Sequence, residues 1–205
     1  MSTSFAWDER YDGGEFQFGE APNRYLASLT QWLKPGMRAL ALGDGEGRNG
    51  VWLAQQGLVT TSLDWSPVGS AKAAQLGKTR GVALTTITAD AATWDYPAEG
   101  FDCVAWIYLH LPPADRAAAA AGALRALAPG GLLALECFSP AQEGRRSGGP
   151  KMPALLWSRA IVEDLFGALE VLELLEGAVH LDEGPRHQGP AEVVRALLRK
   201  RHDLR

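Results

Sequence analysis

The fold of this chain is decided by the stretch Met37-Arg38-Ala39-Leu40-Ala41-Leu42-Gly43-Asp44-Gly45-Glu46-Gly47-Arg48-Asn49-Gly50-Val51-Trp52-Leu53-Ala54. A short apolar run ends in four glycines within eight residues, and apolar positions at helical spacing follow. This pattern predicts a strand, a tight turn and a helix. Because glycine lets the backbone approach a ligand closely and a helix start presents free N–H groups, the turn is typical of a nucleotide-binding cradle.

Two glycine patterns overlap in this turn. Gly45, Gly47 and Gly50 satisfy the dinucleotide pattern G-x-G-x-x-G, and Asp64 ends the next apolar run about 20 residues on. One hypothesis is therefore a nicotinamide-dependent oxidoreductase. The sequence has no Tyr-x-x-x-Lys pair, however, and its 205 residues leave little room for a separate substrate domain. Counted from the end of the strand, the turn also has the spacing Gly43-x-Gly45-x-Gly47.

Length and charge limit the class of protein. A chain of 205 residues predicts one domain, residues 1–205, with its own core. A net charge of −4 argues against a nucleic-acid partner, and the basic run 199–205 is interpreted as a solvated tail. No apolar run reaches about 18 residues, and the first residues do not resemble a secretion leader, so we expect a soluble cytoplasmic protein without a membrane partner. The sequence leaves open whether it is a monomer or a homodimer.

Cysteines and histidines give no indication of a disulfide or a metal centre. Cys103 and Cys137 fall in two apolar runs interpreted as neighbouring strands, so we expect buried free thiols. The four histidines lack the spacing of metal ligands, and no bound metal is predicted.

Strand and helix patterns alternate from residue 38 onward. Near-continuous apolar strands separated by helices predict a parallel sheet covered on both faces. The predicted strands are 38–42, 59–63, 82–88, 101–107, 132–138 and 169–176, and the predicted helices are 48–56, 68–78, 114–128 and 154–166. For residues 191–200 the periodicity alone also permits a helix.

The first 35 residues are rich in aromatic side chains, which is unusual at the edge of a domain. Pro22 and the apolar positions from Tyr25 to Leu33 predict a helix over 23–33. The residues before this helix are interpreted either as a lid over a pocket or as packing for the sheet edge, since aromatic contacts serve both purposes.

The loop 139–153 is irregular and basic, with Arg145, Arg146 and Lys151 among its glycines and prolines. It follows the carboxyl end of a predicted strand, the edge at which open α/β sheets bind ligands. We interpret it as a substrate-side loop, and the basic residues either meet an anionic substrate or are solvated.

The ordered motifs resemble those of class I S-adenosylmethionine (SAM) methyltransferases. They are the glycine turn, Asp64 and Asp90 after the second and third strands, Phe101-Asp102 opening the fourth, and Leu127-Ala128-Pro129-Gly130-Gly131 before the fifth. Shorter stretches are similar to the small bacterial branch near the tellurite-resistance and thiopurine methyltransferases, namely Trp7-Asp8-Glu9-Arg10-Tyr11, Phe18-Gly19-Glu20-Ala21-Pro22-Asn23, His110-Leu111-Pro112-Pro113 and Ser147-Gly148-Gly149-Pro150-Lys151. The resemblance implies a Rossmann-like three-layer α/β sandwich whose seven-stranded, mostly parallel sheet has an antiparallel last strand at 191–200.

The resemblance also implies which residues hold SAM. The glycines would admit its methionyl part, Asp64 would accept from the ribose hydroxyls and Trp65 would flank the adenine, with plain packing as the alternative for Trp65. Asp90 would accept from the adenine amino group, and the Ala91 amide would face a ring nitrogen. Asp44 departs from the cysteine or glutamate of many relatives. The predicted cofactor-binding residues are Gly43, Asp44, Gly45, Gly47, Asn49, Asp64, Trp65, Asp90, Ala91 and Ile107.

Three residues are candidates for catalysis or acceptor contact. By the resemblance, Tyr108 and His110 line the methyl-transfer site after the fourth strand. His187 is a candidate because it lies at the turn between the last two predicted strands, near the same sheet edge, and function concentrates in loops. Methyl transfer from a sulfonium depends mainly on alignment, and a base is needed only when the nucleophile arrives protonated. A thiol needs little help, whereas a hydroxyl needs a base. His110 is the first candidate for that base, or else a structural histidine.

The sequence thus predicts a SAM-dependent methyltransferase that acts on a small-molecule acceptor of thiol, oxyanion or hydroxyl type. The oxidoreductase is one alternative, and a non-catalytic SAM-binding regulatory protein is the other. A nucleic-acid methyltransferase is disfavoured by the negative net charge, and by the absence of an Asn-Pro-Pro-Tyr type run after the fourth strand, where His110-Leu111-Pro112-Pro113 stands instead.

Overall fold

A computed structural model describes residues 4–202, with side chains from residue 6 onward. One sheet contains β1 (Arg38–Leu42), β2 (Val59–Asp64), β3 (Leu84–Thr88), β4 (Phe101–Ile107), β5 (Leu127–Phe138), β6 (Glu170–Asp182) and β7 (Gln188–Arg199). The strand order is β3-β2-β1-β4-β5-β7-β6, and β7 pairs antiparallel with both β5 and β6. The predicted seven-stranded, mostly parallel sheet with an antiparallel last strand is confirmed.

The helices cover both faces of this sheet. The described residues form α1 (Ser4–Tyr11), α2 (Arg24–Ser28), α3 (Arg48–Gln55), α4 (Pro67–Thr79), α5 (Pro113–Ala126) and α6 (Arg159–Phe166). Alanines and large apolar residues of α5 and α6 pack in one core, and residues of α2 and α3 pack in the other. The three-layer arrangement brings the carboxyl ends of β1 to β5 to one edge of the sheet, which is the edge that binds ligands in such folds.

The predicted helix over 23–33 is wrong beyond Ser28. Ser28 Oγ donates to the Tyr25 carbonyl at 2.7 Å, and Thr30 Oγ1 donates to the Ala27 carbonyl at 2.6 Å. These hydroxyls occupy carbonyls of the last turn, and the chain continues as a short 3-10 turn at Thr30–Trp32.

The predicted helix over 154–166 begins later, at Arg159. The indole of Trp157 is fully buried and the backbone N–H of that residue donates to the Phe138 carbonyl at 2.9 Å, which holds this part of the chain against β5. Arg116 donates to the Leu156 carbonyl at 3.1 Å, and Ser158 then caps the helix by accepting from Ile161 N at 3.3 Å. Tertiary contacts of the backbone therefore override the helical pattern here.

Three further boundaries differ from the prediction. β3 begins at Leu84 rather than at residue 82, and β5 begins at Leu127, directly after α5 ends at Ala126. β6 extends to Asp182 because a long hairpin pairs it with β7 over its whole length. The helical alternative for 191–200 is wrong, since those residues belong to β7, and α1 has no counterpart in the prediction. Within residues 4–202, no helix has the length and apolar character that crossing a membrane requires.

Candidate functional site

The glycine turn joins β1 to α3 and lies at the carboxyl edge of the sheet. Gly43 and Gly45 have φ angles of +65° and +59°, which side-chain-bearing residues rarely adopt. A Cβ on Gly43 would lie 2.7 Å from Leu109 Cδ1, and a Cβ on Gly45 would lie 2.6 Å from the Tyr11 hydroxyl. Leu109 and Tyr11 therefore pack directly on the bare backbone of the two glycines, and contact of this backbone with the methionyl part of SAM stays a prediction.

Two residues of the turn serve its own packing. A Cβ on Gly47 would lie 2.6 Å from Ala73, so this glycine permits the close approach of α4. The buried Asp44 carboxylate accepts from Ser62 Oγ at 2.7 Å and from Gly50 N at 3.1 Å, and burial raises its pKa. Asp44 thus stabilises the turn from inside the protein. Direct contact of Gly47 or Asp44 with SAM stays a prediction.

Asp64 ends β2 beside the turn, as predicted. Its carboxylate accepts from Gly45 N and from Ser66 N, each at 2.8 Å. Burial raises the pKa of this carboxyl to about 6, because the two N–H donors offset only part of the lost hydration. Trp65 follows with 37% of its surface exposed, so the indole is free to flank a flat ligand.

Asp90 and Ala91 follow β3 at the same edge, because β3 pairs with β2 and Ala89 N donates to the Asp64 carbonyl at 3.0 Å. The Asp90 carboxylate accepts from Ala92 N at 2.9 Å, which shapes a turn. The Tyr96 hydroxyl donates to the carbonyl of the buried Ala91 at 2.8 Å. The structure thus brings the predicted ribose and adenine contacts to one edge.

Tyr108 follows β4 with a φ of +52°, a strained conformation for a bulky residue. Its N–H donates to the Glu136 carbonyl at 2.7 Å and its hydroxyl donates to the Glu136 carboxylate. Glu136 thus binds the hydroxyl of Tyr108 inside the protein. The ring is the part of Tyr108 that contacts other aromatic side chains. Ile107, one residue earlier, is buried in the sheet core on the α2–α3 side.

His187 lies among aromatic rings at this edge. Its ring centroid is 4.5 Å from that of Tyr108, 4.9 Å from that of Phe18 and 5.4 Å from that of Phe138. Tyr108 and Phe138 stack at 4.7 Å. We call Phe18, Tyr108, Phe138 and His187 the aromatic cluster.

The two histidines of this edge differ in their partners. His110 Nδ1 lies 2.9 Å from the Leu155 carbonyl, and Phe138 N points to His110 Nε2 at 3.5 Å, so backbone groups contact both ring nitrogens. His187 is 4% exposed and its buried Nδ1 has no hydrogen-bond partner among the described residues. Burial lowers the pKa of His110 to about 4 and that of His187 to about 3, so both rings are neutral at pH 7.

A buried polar network underlies the cluster, and of its members only Tyr108 and Asn49 were predicted as site residues. Asn23 Nδ2 donates to Glu136 Oε1 at 2.8 Å and to Glu183 Oε1 at 3.1 Å, and Arg195 pairs with Glu136. Asn49, a predicted cofactor residue, accepts from Asn23 N at 2.9 Å and belongs to this network instead of standing free. The one sequence signal was Glu136, a lone carboxylate inside an apolar strand, which must find partners when buried.

We call the carboxyl edge of the sheet at the glycine turn, Asp64 and Asp90 the cofactor edge. Three side chains fix the N-terminal segment to it. Asp8 accepts from the Ser66 hydroxyl at the start of α4, and Tyr11 packs on Gly45. Lys72 of α4 donates to the carbonyls of Gly13 and Glu15, each at 2.9 Å, and pairs with Glu46 of the glycine turn at 2.6 Å. Sequence analysis missed Lys72, because nothing in its local pattern distinguishes it from a solvated helix lysine.

The loop 139–153 contacts the cluster through its backbone. A Cβ on Gly148 would lie 2.8 Å from His187 Cδ2, and a Cβ on Gly149 would lie 3.2 Å from the Phe138 ring. Gln142 accepts from Glu192 N at 2.8 Å and donates to the Gly148 carbonyl at 2.9 Å, which anchors the loop on β7. The basic side chains of the loop, Arg145, Arg146 and Lys151, are exposed. In the part of the chain that the structure describes, no group of three His, Cys, Asp or Glu residues could hold a metal ion.

Comparison with known proteins agrees with this geometry. Residues 39–131 match the family model of a methyltransferase domain. The match begins in β1 and includes the glycine turn, Asp64 and Asp90. No curated protein matches the chain in sequence.

Solved structures share the fold at low sequence identity. The N-methyltransferase NodS from Bradyrhizobium japonicum WM9, in complex with S-adenosylhomocysteine (SAH), is 18% identical with a TM-score of 0.76 over 98% of this chain and 100% of that one. TehB from Haemophilus influenzae is 15% identical with a TM-score of 0.72 over 95% of this chain and 66% of that one. A structure described under the conversion of a disulfide bond into a thioacetal group during echinomycin biosynthesis is 22% identical, with a TM-score of 0.75 over 98% of this chain and 94% of that one. The part of the chain that matches a methyltransferase domain thus contains the glycine turn and the Asp64 carboxylate, and the whole chain has the fold of these solved methyltransferase structures.

Proposed function

We propose that this chain transfers the methyl group of SAM to a small-molecule acceptor held between the glycine turn and the aromatic cluster. The observation that carries the proposal is the position of Tyr108. It follows β4, the strand next to β1, and its ring belongs to the cluster that includes His187. The cofactor edge and the apolar rings of the cluster thus adjoin at one residue. The nicotinamide-dependent oxidoreductase is disfavoured, since the family match is to a methyltransferase domain.

In this proposal the cofactor lies along the carboxyl ends of β1 to β3. Asp64 accepts from the ribose hydroxyls, Trp65 covers one face of the adenine, and Asp90 with the Ala91 amide binds its edge. Bound SAM supplies an electrophilic methyl group on a sulfonium sulfur. The rings of the cluster orient the acceptor and exclude water, and alignment supplies much of the rate.

The histidines have different parts in this scheme. His110 holds the 153–155 turn against β5, because both of its nitrogens contact backbone groups. His187 is the stronger candidate for acceptor contact, since its Nδ1 is uncommitted. Tyr108 acts through its ring, as its hydroxyl is bound to Glu136.

We further propose that residues 4–22 form a lid and that residues 139–153 form the acceptor-side wall. Tyr11 covers Gly45 in this structure, so the segment must shift for SAM to reach the turn, and Lys72 holds it afterwards. The apolar rings of the cluster and the negative net charge support a small-molecule acceptor over a nucleic acid. The free buried thiols of Cys103 and Cys137 fit a cytoplasmic enzyme.

The test is incubation with SAM and a panel of thiols, phenols, amines and oxyanions, with a 14-dalton gain read by mass spectrometry. Methylation of any acceptor, lost in Asp64→Ala, is the expected result. Binding of SAH without methylation of any compound would favour a SAM-binding regulatory protein. Binding of NADH but not SAH, by calorimetry, would overturn the proposal.

A further inference from the structure

The walls of the aromatic cluster select against anions. The faces of Tyr108 and Phe138, stacked at 4.7 Å, carry negative quadrupole density, and Phe18 adds a third ring. An anion against such faces would lose its hydration and gain no partner. The cationic side chains of the 139–153 loop do not compensate an anion for this lost hydration. They are exposed, whereas Gly148 and Gly149 are the loop residues that face the cluster.

The charges beneath the cluster cancel among themselves. Glu136 is paired with Arg195, and Glu183 is paired with Arg48 at 3.0 Å. The remaining acceptor capacity of both carboxylates is taken by Asn23, the Tyr108 hydroxyl and the Arg24 N–H. Two carboxylates and two guanidiniums therefore leave no surplus charge for an ionic acceptor.

His187 Nδ1 is a fully buried polar atom of the cluster that has no hydrogen-bond partner among the described residues. A Cβ on Gly148 would approach the Cδ2 and Nε2 edge of the ring, so Nδ1 lies on the opposite edge. A buried nitrogen without a partner destabilises the fold, and a ligand that hydrogen-bonds to it recovers that cost.

We infer that the acceptor is an uncharged molecule with a flat apolar face, whose nucleophilic S–H, N–H or O–H group donates to His187 Nδ1. This inference rests on the proposed function and narrows its acceptor class by removing oxyanions. The flat face packs on Tyr108 and Phe138, and the X–H group is the single polar anchor.

The transfer step balances with the groups present. A lone pair of the acceptor atom X forms the new X–C bond, and the carbon–sulfur bond of the sulfonium breaks with its electron pair left on sulfur. The X–H proton passes to His187 Nδ1, and the imidazolium releases it to water. The positive charge thus moves from sulfur to the imidazole and then to solvent.

The experiment titrates six compounds of known charge into the SAH-loaded chain by calorimetry, and in parallel assays their methylation with SAM. Benzyl mercaptan, phenol and aniline are uncharged at pH 7, benzoate and tellurite are anions, and benzylamine is a cation. We expect the uncharged rings to bind at least about tenfold more tightly than benzoate, and one of them to be methylated.

His187→Phe, which keeps a ring, should weaken binding of the uncharged compounds about 5- to 150-fold and leave SAH binding unchanged. His187→Asn, which returns an acceptor atom, should restore part of the affinity. His180→Phe on the exposed side of β6 is the matched control.

Preferred binding or methylation of benzoate, tellurite or benzylamine would overturn the inference, as would equal binding by His187→Phe. SAH binding without affinity for any uncharged compound would overturn it as well. Failure of SAM and SAH to bind would instead overturn the proposed function.

Discussion

Arg48 donates to Glu183 Oε2 at 3.0 Å across 135 residues of sequence, and 7% and 1% of the two side chains are exposed. Arg48 is the first residue of α3, directly after the glycine turn, and Glu183 begins the turn that carries His187. The ion pair therefore joins the cofactor side of the site to its acceptor side.

Breaking this pair should destabilise the fold strongly. Arg48→Met leaves a buried carboxylate unpaired, and Glu183→Leu leaves a buried guanidinium unpaired, so we expect each to lower the free energy of unfolding by about 3 to 5 kcal/mol. The double variant should cost clearly less than the sum of the two. Urea denaturation measures all three, with the exposed pair Arg38 and Asp102 as the control, where Arg38→Met should cost at most about 1 kcal/mol. Strict additivity would contradict a direct coupling.

Replacement of Asp64 should weaken cofactor binding. Asp64→Ala removes the proposed acceptor of the ribose hydroxyls, so we expect SAH affinity to fall about 5- to 150-fold, or about 1 to 3 kcal/mol. Calorimetric titration with SAH measures this, and Asp95→Asn serves as the control because that carboxylate is fully exposed. Unchanged affinity in Asp64→Ala would show that the ribose lies elsewhere.

The cofactor edge was predictable because its signals are local. A strand, a glycine turn and a helix occupy consecutive residues, and Asp64 and Asp90 each end an apolar run, so position along the chain implies position in the sheet. The likeness to methyltransferases supplied the antiparallel last strand, which periodicity could not distinguish from a helix.

The acceptor edge was mostly not predictable, because its contacts join residues far apart in sequence. Asn23 meets Glu136 across 113 residues and Glu183 across 160. Lys72 holds the N-terminal segment from a helix whose local sequence shows no such role. Glu136 alone gave a signal, since a carboxylate inside a buried strand requires partners.

Stability should fall as the solution is acidified from pH 7 to pH 5. His110 and His187 have pKa values of about 4 and about 3 in the fold, against about 6.5 in an unfolded chain. The unfolded chain therefore takes up protons first, and each histidine removes on the order of 2 kcal/mol of stability by pH 5. Asp64 and Asp44 have the opposite sign, because burial raises the pKa of Asp64 to about 6 and raises that of Asp44 as well, so protonation of these carboxylates recovers part of the loss.

Urea denaturation of the ligand-free chain at pH 7, 6 and 5 tests this sign. We expect a net loss in which the two histidines outweigh Asp64 and Asp44. His187→Gln should have a shallower slope because one proton-accepting site of the unfolded chain is gone. His180→Gln, an exposed control, should keep the slope of the original chain. Stability that rises toward pH 5 would mean that the histidines are hydrated in solution.

Lys72 should control the N-terminal segment. Its ammonium group donates to the carbonyls of Tyr11, Gly13 and Glu15, and it pairs with Glu46, so Lys72→Met removes several charge-assisted hydrogen bonds from residues that have few other anchors. We expect amide exchange of residues 11–17 to accelerate about 10- to 100-fold while β1 and β4 stay protected. Hydrogen exchange read by mass spectrometry measures this, and Lys78→Met, at an exposed position of the same helix, is the control.

Because Glu46 belongs to the glycine turn, SAH should slow exchange of the segment in the original chain and much less in Lys72→Met. Equal protection by SAH in both would mean that the segment closes without the lysine, and a segment that exchanges slowly in every variant would be fixed packing rather than a lid.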